Sequence, residues 1–537
     1  MNGTVDLASL AKRFWAWREE TQPDSGDDLP RVERPPGWVA DWSPAAVAER
    51  GRVLGEFERE LARLPDGVDA RLLGSAVARA RWELDQQRGW QRNPCFYVDQ
   101  TLGPLYCVLL DQRPFTGERA DAVLRHLRRV PETLRHARQH LTGHAERPFA
   151  RSAVRKLDRV PERLTASMRA LAPLLPAPEA GALPEATETA VRALVGYREW
   201  LAEADGGFAD RVTTGDGLDV LLHRVALLPH RPERIRELAR QEWDRATVLE
   251  RVLRARHRDL PPAALPRTAA EQIARQEAAE REMRAFLAER GLFDAPEDLR
   301  PYRFVPMPAQ LAPLTWLGVC DDLTSITRPR AQAVRYVPEP GPGLPYFPYA
   351  DALDPRLGIC HEGVHAQQLA LAWEHPNPVR RRFYDSTPNE GVAFHQEELL
   401  LSAGLFDDAP HSALMIAGFL RLRARRAEVD VGLAAGELTI EEAADRLDAV
   451  LGDRATAWEE AVFFAGNPGQ ALSYQVGKAQ INELLAQLPG DLDLAAFHRR
   501  LWQEGNVPLA LQRWELLGLR DHLDRADTLA GHSTTTS

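Results

Sequence analysis

From Ser43 onward, apolar residues return at +3/+4 spacing in one stretch after another, each closed by proline or glycine, and this rhythm admits little besides a large helical fold. The first stretch starts where Ser43 can cap and Pro44 can take the first helical position, and Leu54, Phe57, Leu61 and Leu64 carry its stripe to Pro65. Similar stretches predict helices at 68–90, 118–141, 147–171, 185–204, 232–257 and 268–290. Between 296 and 350 the texture changes: Tyr302 to Pro306 and Gln332 to Val337 read as extended, and the 338–348 loop is rich in Pro and Gly, so a small sheet or hairpin is expected. Helices resume from Asp354, with Thr439-Ile440-Glu441-Glu442 as a capping box. The expected organisation is an N-terminal arm over 1–42, a helical half over 43–295, a small β/loop insertion over 296–350, a second helical half over 351–530, and a disordered tail over 531–537. The arm carries Pro, Asp and Gly clusters, and any order in it must come from docking.

Composition narrows the function. With 44% hydrophobic and 27% charged residues the chain can bury a sizeable core. A net charge of −11 from 67 basic and 78 acidic residues argues against nucleic-acid partners, which need a basic surface. Cys95, Cys107, Cys320 and Cys360 form no C-x-x-C pair, which fits a reducing compartment. The first 20 residues have no apolar run of signal-peptide type and no stretch is long and apolar enough to span a bilayer, so a cytoplasmic protein without membrane contact is expected.

The chemistry concentrates in Cys360-His361-Glu362-Gly363-Val364-His365. On a helix His361 and His365 stand one turn apart on one face, so both imidazoles can reach one metal, and Glu362 lies beside them to take a proton from an attacking water. This H-E-x-x-H pattern should arise by chance only about a few hundredths of a time in a chain of this composition. Against it stands the bland alternative of two histidines bonded to backbone on an ordinary helix. A catalytic zinc takes three protein ligands, so a third must lie downstream. Glu390, near the start of the apolar stretch from Thr387 to Leu401, is the expected ligand, although a glutamate there could also complement the helix dipole. Glu397, two turns on along the same face, is placed to hold a ligand histidine from behind, and His395 points away from that face. One zinc per chain is therefore expected, which makes 351–530 the metal-binding catalytic half.

Two further clusters carry charge. In the loop-to-helix segment from Gly466 to Lys478, Tyr474 and Lys478 share a face, where a phenol could stabilise an oxyanion and an ammonium could bind a carboxylate. Arg423 and Arg426, spaced i,i+3, could clamp an anion together. The plain alternative is that these cations pair with acids of the protein.

Four blocks in order resemble the bacterial zinc-peptidase-like family catalogued as domain of unknown function 885. They are His361-Glu362, Glu390-Gly391-x-Ala393 with Glu397, the segment from Arg423-Ala424-x-Arg426 to Asp430-x-Gly432, and the segment from Pro468 to Lys478. The likeness extends nearly full length, from Tyr197 to Leu201 through Val305-Pro306-Met307-Pro308 to the carboxyl end. It implies a mainly α, large multi-helical metallopeptidase-like fold with a small β insertion around 300–340. It also implies a zinc hydrolase of carboxypeptidase-like, exopeptidase type, with His361, His365 and Glu390 on zinc and Glu362 as base. The sequence departs from the family pattern where Ala366 replaces the second His of a His-His pair, where Val392 stands for a Trp, and where Ala434 stands for a His. The expected activity is thus a cytoplasmic zinc exopeptidase on short peptides, with catalytic Glu362 and Tyr474 and with Arg423, Arg426 and Lys478 contacting substrate. The alternative is a zinc enzyme tailoring a small amide- or amino-acid-like metabolite. The expected partner is a small peptide or peptide-like substrate, and a homodimer is left open.

Overall fold

The computed structural model describes residues 6–25, 31–215, 217–341 and 343–532. The chain is mainly α, as the spacing predicts, with one small sheet. The first amphipathic stretch forms Pro44–Leu61, and the Ser43 hydroxyl accepts from Ala46 N. Stretches at 118, 232 and 268 become Glu118–Leu141, Pro232–Arg256 and Ala269–Glu289. The predicted 147–171 helix is two, Arg147–Leu157 and Val160–Leu171, because Pro161 cannot donate to a preceding turn and so sits at the start of a new helix. Thr439 and Glu442 make the reciprocal capping bonds that start Ile440–Leu451.

The sheet lies where the texture changed. Strand β1 (Arg303–Pro306) pairs in parallel with β3 (Val334–Val337), while β2 (Asp321–Asp322) runs antiparallel on the other side of β3. A parallel pair needs a long crossover, so this is a sheet and not a hairpin.

The arm docks through its helix, Leu7–Thr21, which Asp6 caps. Leu10, Ala11, Phe14 and Trp15 bury against Leu54, Phe57, Leu72, Leu73, Val379 and Phe383. At about 1.5–3 kcal/mol per fully buried large side chain, this holds the arm to the body. Of the predicted tail, Gly531 and His532 end the helix Asp521–His532, and 533–537 lie outside the described residues.

Two large apolar clusters build the interior. One gathers Tyr97, Tyr106, Leu134, Leu164 and Tyr197 with Val429, Leu433, Leu447 and Phe464 from far along the chain. The other gathers Phe293, Phe304 and Leu357 with Phe394, Leu420, Ile481 and Trp502. The helix Pro410–Ala434 feeds both, Leu422 and Val429 into the first and Ile416 and Leu420 into the second. The helices Ser386–Ser402 and Gln470–Gln487 cross closely beside it. A Cβ on Gly477 would lie 2.1 Å from the Thr387 carbonyl oxygen, and one on Gly391 would lie 2.6 Å from the Gly477 Cα, so only glycine permits this approach.

Candidate metal centre

The H-E-x-x-H segment starts on a π-helical turn, Ile359–Gly363, flanked by the α-helical Pro355–Gly358 and Val364–Trp373. Such turns insert one extra residue into a helix and often occur at functional sites. The His361 and His365 rings lie 4.8 Å apart at 87° to each other. The crossing at Gly391 and Gly477 brings Glu390 up to both. Glu390 Oε2 is 3.2 Å from His361 Nε2 and 3.4 Å from His365 Nε2. All three side chains are buried, and one ligand atom from each falls within 4.8 Å of the others. Neither His365 Nε2 nor Glu390 Oε2 makes a hydrogen bond of sound geometry. Their bare lone pairs converge on one point, as ligands of a shared cation do.

Glu397 Oε1 sits 2.8 Å from His361 Nδ1, behind the ring, and Arg423 donates to the same oxygen at 2.9 Å. Burial opposes charge on His361, yet the close carboxylates of Glu390 and Glu397 outweigh it and hold the ring up at about 10. Burial likewise opposes charge on Glu390, but His365 and His361 push its carboxyl well below the usual range. Gln470 Nε2 donates to Glu390 Oε1 at 3.2 Å and fixes that carboxylate from the other side. Gln470 itself is positioned by Asp430, which accepts from Gly469 N and Leu472 N at the head of its helix.

Glu362 is half-buried beside the two histidines in sequence, close enough to Tyr302 and Arg335 to bear on their charge. The Tyr474 ring is 5.9 Å from the His361 ring at an interplanar angle of 20°, so the phenol belongs to this centre. Arg423 and Arg426 flank Tyr474, with guanidinium carbons 5.5 Å and 5.4 Å from its ring.

The three cations expected to contact substrate are committed to the protein. Arg423 holds Glu397, Arg426 makes a two-pronged pair with Glu460, and Lys478 donates to Glu242 at 2.7 Å and Glu398 at 2.8 Å. Each is almost fully buried. As the plain alternative had it, acids of the chain absorb them, and their partners could not be read from sequence because they lie on other helices. His395, directed away from the centre, bonds to Asn482 and His498. Sequence reasoning assigns no role to Gln470, whose position at a helix start after Pro468-Gly469 is the signal that could have found it.

A cavity of about 270 Å³ lies beside this centre, lined by Gln470, by Thr387 at the head of the Glu390 helix and by Trp373 at the end of the His365 helix, while His361, Glu362, His365, Glu390 and Tyr474 are outside its lining. Its opposite wall is the arm, with Trp15, Arg18 and Arg31. Among the described residues no helix is long and apolar enough to cross a membrane.

A search of curated proteins finds no match. Two solved structures share the fold over nearly their whole length, each described as a "putative lipoprotein". The one from Shewanella oneidensis superposes with a TM-score of 0.70 at 15% identity, covering 95% of this chain and 100% of its own. The one from Colwellia psychrerythraea gives 0.73 at 15% identity, covering 98% and 99%. A family model described as "Bacterial protein of unknown function (DUF885)" matches residues 34–516, a span that takes in His361, His365, Glu390, Tyr474 and the helices that carry them, and the chain belongs to that family.

Proposed function

We propose that this protein is a metal-dependent hydrolase, with zinc as the metal, acting on a peptide-like bond in a small substrate. The observation that carries the reading is the convergence of His361, His365 and Glu390, buried, with one ligand atom from each within 4.8 Å of the others and with His365 Nε2 and Glu390 Oε2 unpaired. Two imidazoles and one carboxylate are the donor set of a catalytic zinc, which needs a further open position. The metal would supply Lewis acidity and lower the pKa of water. Glu362 takes the proton from the attacking water and passes it to the leaving nitrogen. Tyr474 donates its hydroxyl proton toward the oxygen on which charge develops. Glu397 and Arg423 hold the His361 ring so that Nε2 stays directed inward. The narrow cavity supports small substrates, and the internal pairing of Arg423, Arg426 and Lys478 withdraws the reason for requiring a substrate carboxylate. The four free cysteines support a cytoplasmic location, which recovery in a membrane fraction would overturn.

The test is elemental analysis of purified protein. About one zinc per chain is expected, lost in His361→Ala and His365→Ala with the helical spectrum kept. Unchanged metal content in both variants would remove the site. Glu362→Gln should keep the metal and lose at least about a hundredfold in turnover on any substrate found.

A further inference from the structure

The helix Pro94–Leu110 is buried on nearly all sides, and one of its few polar side chains, Asp99, lines the 270 Å³ cavity. The other charged residues of that lining all bond within the protein. Arg18 pairs with Glu83, Arg79 with Asp385 and Arg382 with Glu19. Asp24, Arg31 and Glu33 are likewise taken, by Arg34, the Ser25 carbonyl and Thr327. Asp99 makes no hydrogen bond or ion pair among the described residues. Of the two cations that act on it, Lys156 is paired with Glu459 at 3.4 Å and Arg31 donates to the Ser25 carbonyl. The cavity therefore presents one carboxylate with no bonded partner among the described residues, with the indole of Trp82 and the ring of Phe96 also lining it, while Arg31 and Glu33 bond there only to neutral groups.

We infer that Asp99 binds a cationic amino group of the substrate, so that the enzyme selects small peptide-like molecules with a free ammonium. This rests on the hydrolase reading above for what happens to the molecule, but not for its binding. An uncommitted carboxylate in a cleft with aromatic walls is met by an ammonium, which offers charge-assisted hydrogen bonds to the acid and a cation to the ring faces. Burial raises the Asp99 carboxyl to about 7, with Lys156 and Arg31 pulling it down and Asp24 pushing it up. A cation bound there restores its charge. The volume sits at the small end of ligand pockets, roughly 300–1,000 Å³, which fits a dipeptide-sized molecule and excludes an internal segment of a folded protein. The wall that holds Asp99 also holds Gln470, the side chain that donates to Glu390.

The probe is alanyl-alanine amide, which carries an ammonium and no carboxylate, against its N-acetylated form, with full-length protein as purified. Binding is read by the tryptophan fluorescence of the lining residues Trp15, Trp82 and Trp373, and metal content is measured on the same samples. Saturable binding of the free amine is expected, at least about tenfold tighter than the acetylated form. Asp99→Asn should lose that preference and Asp99→Glu should regain part of it, with melting temperatures of both near the parent's. Equal affinity for the two forms, no saturation by the free amine up to about 10 mM, or a preference undiminished in Asp99→Asn would overturn the assignment. Amine-dependent binding to protein without metal would leave this site standing and sink the hydrolase reading. Metal without amine-dependent binding would do the reverse.

Discussion

Replacing Gly391 by alanine tests whether the metal centre depends on the helix crossing beneath it. The new methyl would meet backbone, 2.6 Å from the Gly477 Cα, 2.7 Å from its carbonyl carbon and 3.1 Å from Lys478 N, whereas ordinary contact begins at 3.4 Å. No rotamer change relieves a clash between main chains, so the two helices must part by about 1 Å. Overpacking of this kind costs about 1–3 kcal/mol, and the backbone contact puts it at the upper end. Alanine recovers about 1 kcal/mol through its helix propensity, leaving a net loss of about 2 kcal/mol. The displacement falls on Glu390, the adjacent residue, whose carboxylate must stay within hydrogen-bonding reach of Gln470 and of both histidines. Zinc affinity should drop by at least about tenfold. The assay is a thermal melt at fixed scan rate with a chelator competition for the metal. Gly181, on the exposed surface of the helix Ala177–Ala204 with nothing within 4 Å of a Cβ, is the control, and its alanine variant should gain up to about 1 kcal/mol. Gly391→Ala melting at or above the parent with zinc affinity unchanged would refute the argument.

Three further outcomes are expected. Glu397→Ala should weaken zinc binding by about 10–100-fold while the fold persists, since it frees the His361 ring; chelator competition measures this, and parent affinity would dismiss Glu397 as its support. Lys478→Met should cost about 2–3 kcal/mol in denaturant melts, below the usual 3–5 for a broken buried pair, because Arg245 still reaches both Glu242 and Glu398; a neutral change would show the lysine to be unneeded there. Asp99 holds its proton in the folded chain to about pH 7 but releases it near the ordinary carboxylate value when unfolded, so the folded state binds more protons between those limits and its stability falls as pH rises through them. Asp99→Asn should flatten that part of the profile, and an unchanged slope would remove Asp99 from it.

How much of this was legible in the sequence follows from the range of the interactions. Helix starts and H-E-x-x-H are local: Ser43, Thr439 and the His361/His365 spacing each act within a turn or so, and a periodic sequence displays them. Glu390 and Glu397 were readable because one helix face carries both. The partners of Lys478 and Arg426 were not, since Glu242 and Glu460 come from other helices and nothing near the cations encodes them. The helix Pro94–Leu110 escaped notice for a different reason. It is buried nearly all round, so it shows no amphipathic stripe, and Pro104 sits inside it. The cavity was invisible because residues of the arm, the first helical half and the catalytic helices contribute to it together.

The three departures from the family pattern read differently once placed. Val392 and Ala366 are buried in the second apolar cluster, and Ala434 packs in a smaller one with Leu222, Leu228 and Ile235 while its carbonyl accepts from Thr213 and Thr214. None of them lines the cavity of Asp99 and Gln470, while Ala366 lines a smaller pocket with Tyr302 and Glu374. Small apolar side chains at these points alter packing, and the groups that face the cavity are unaffected by them. The arm and the Pro94–Leu110 helix line that cavity together with Pro468, Gly469, Gln470 and Leu472 of the fourth block. Exchanging Ala366 for His should therefore leave substrate preference where it was, while a change at Asp99 should move it.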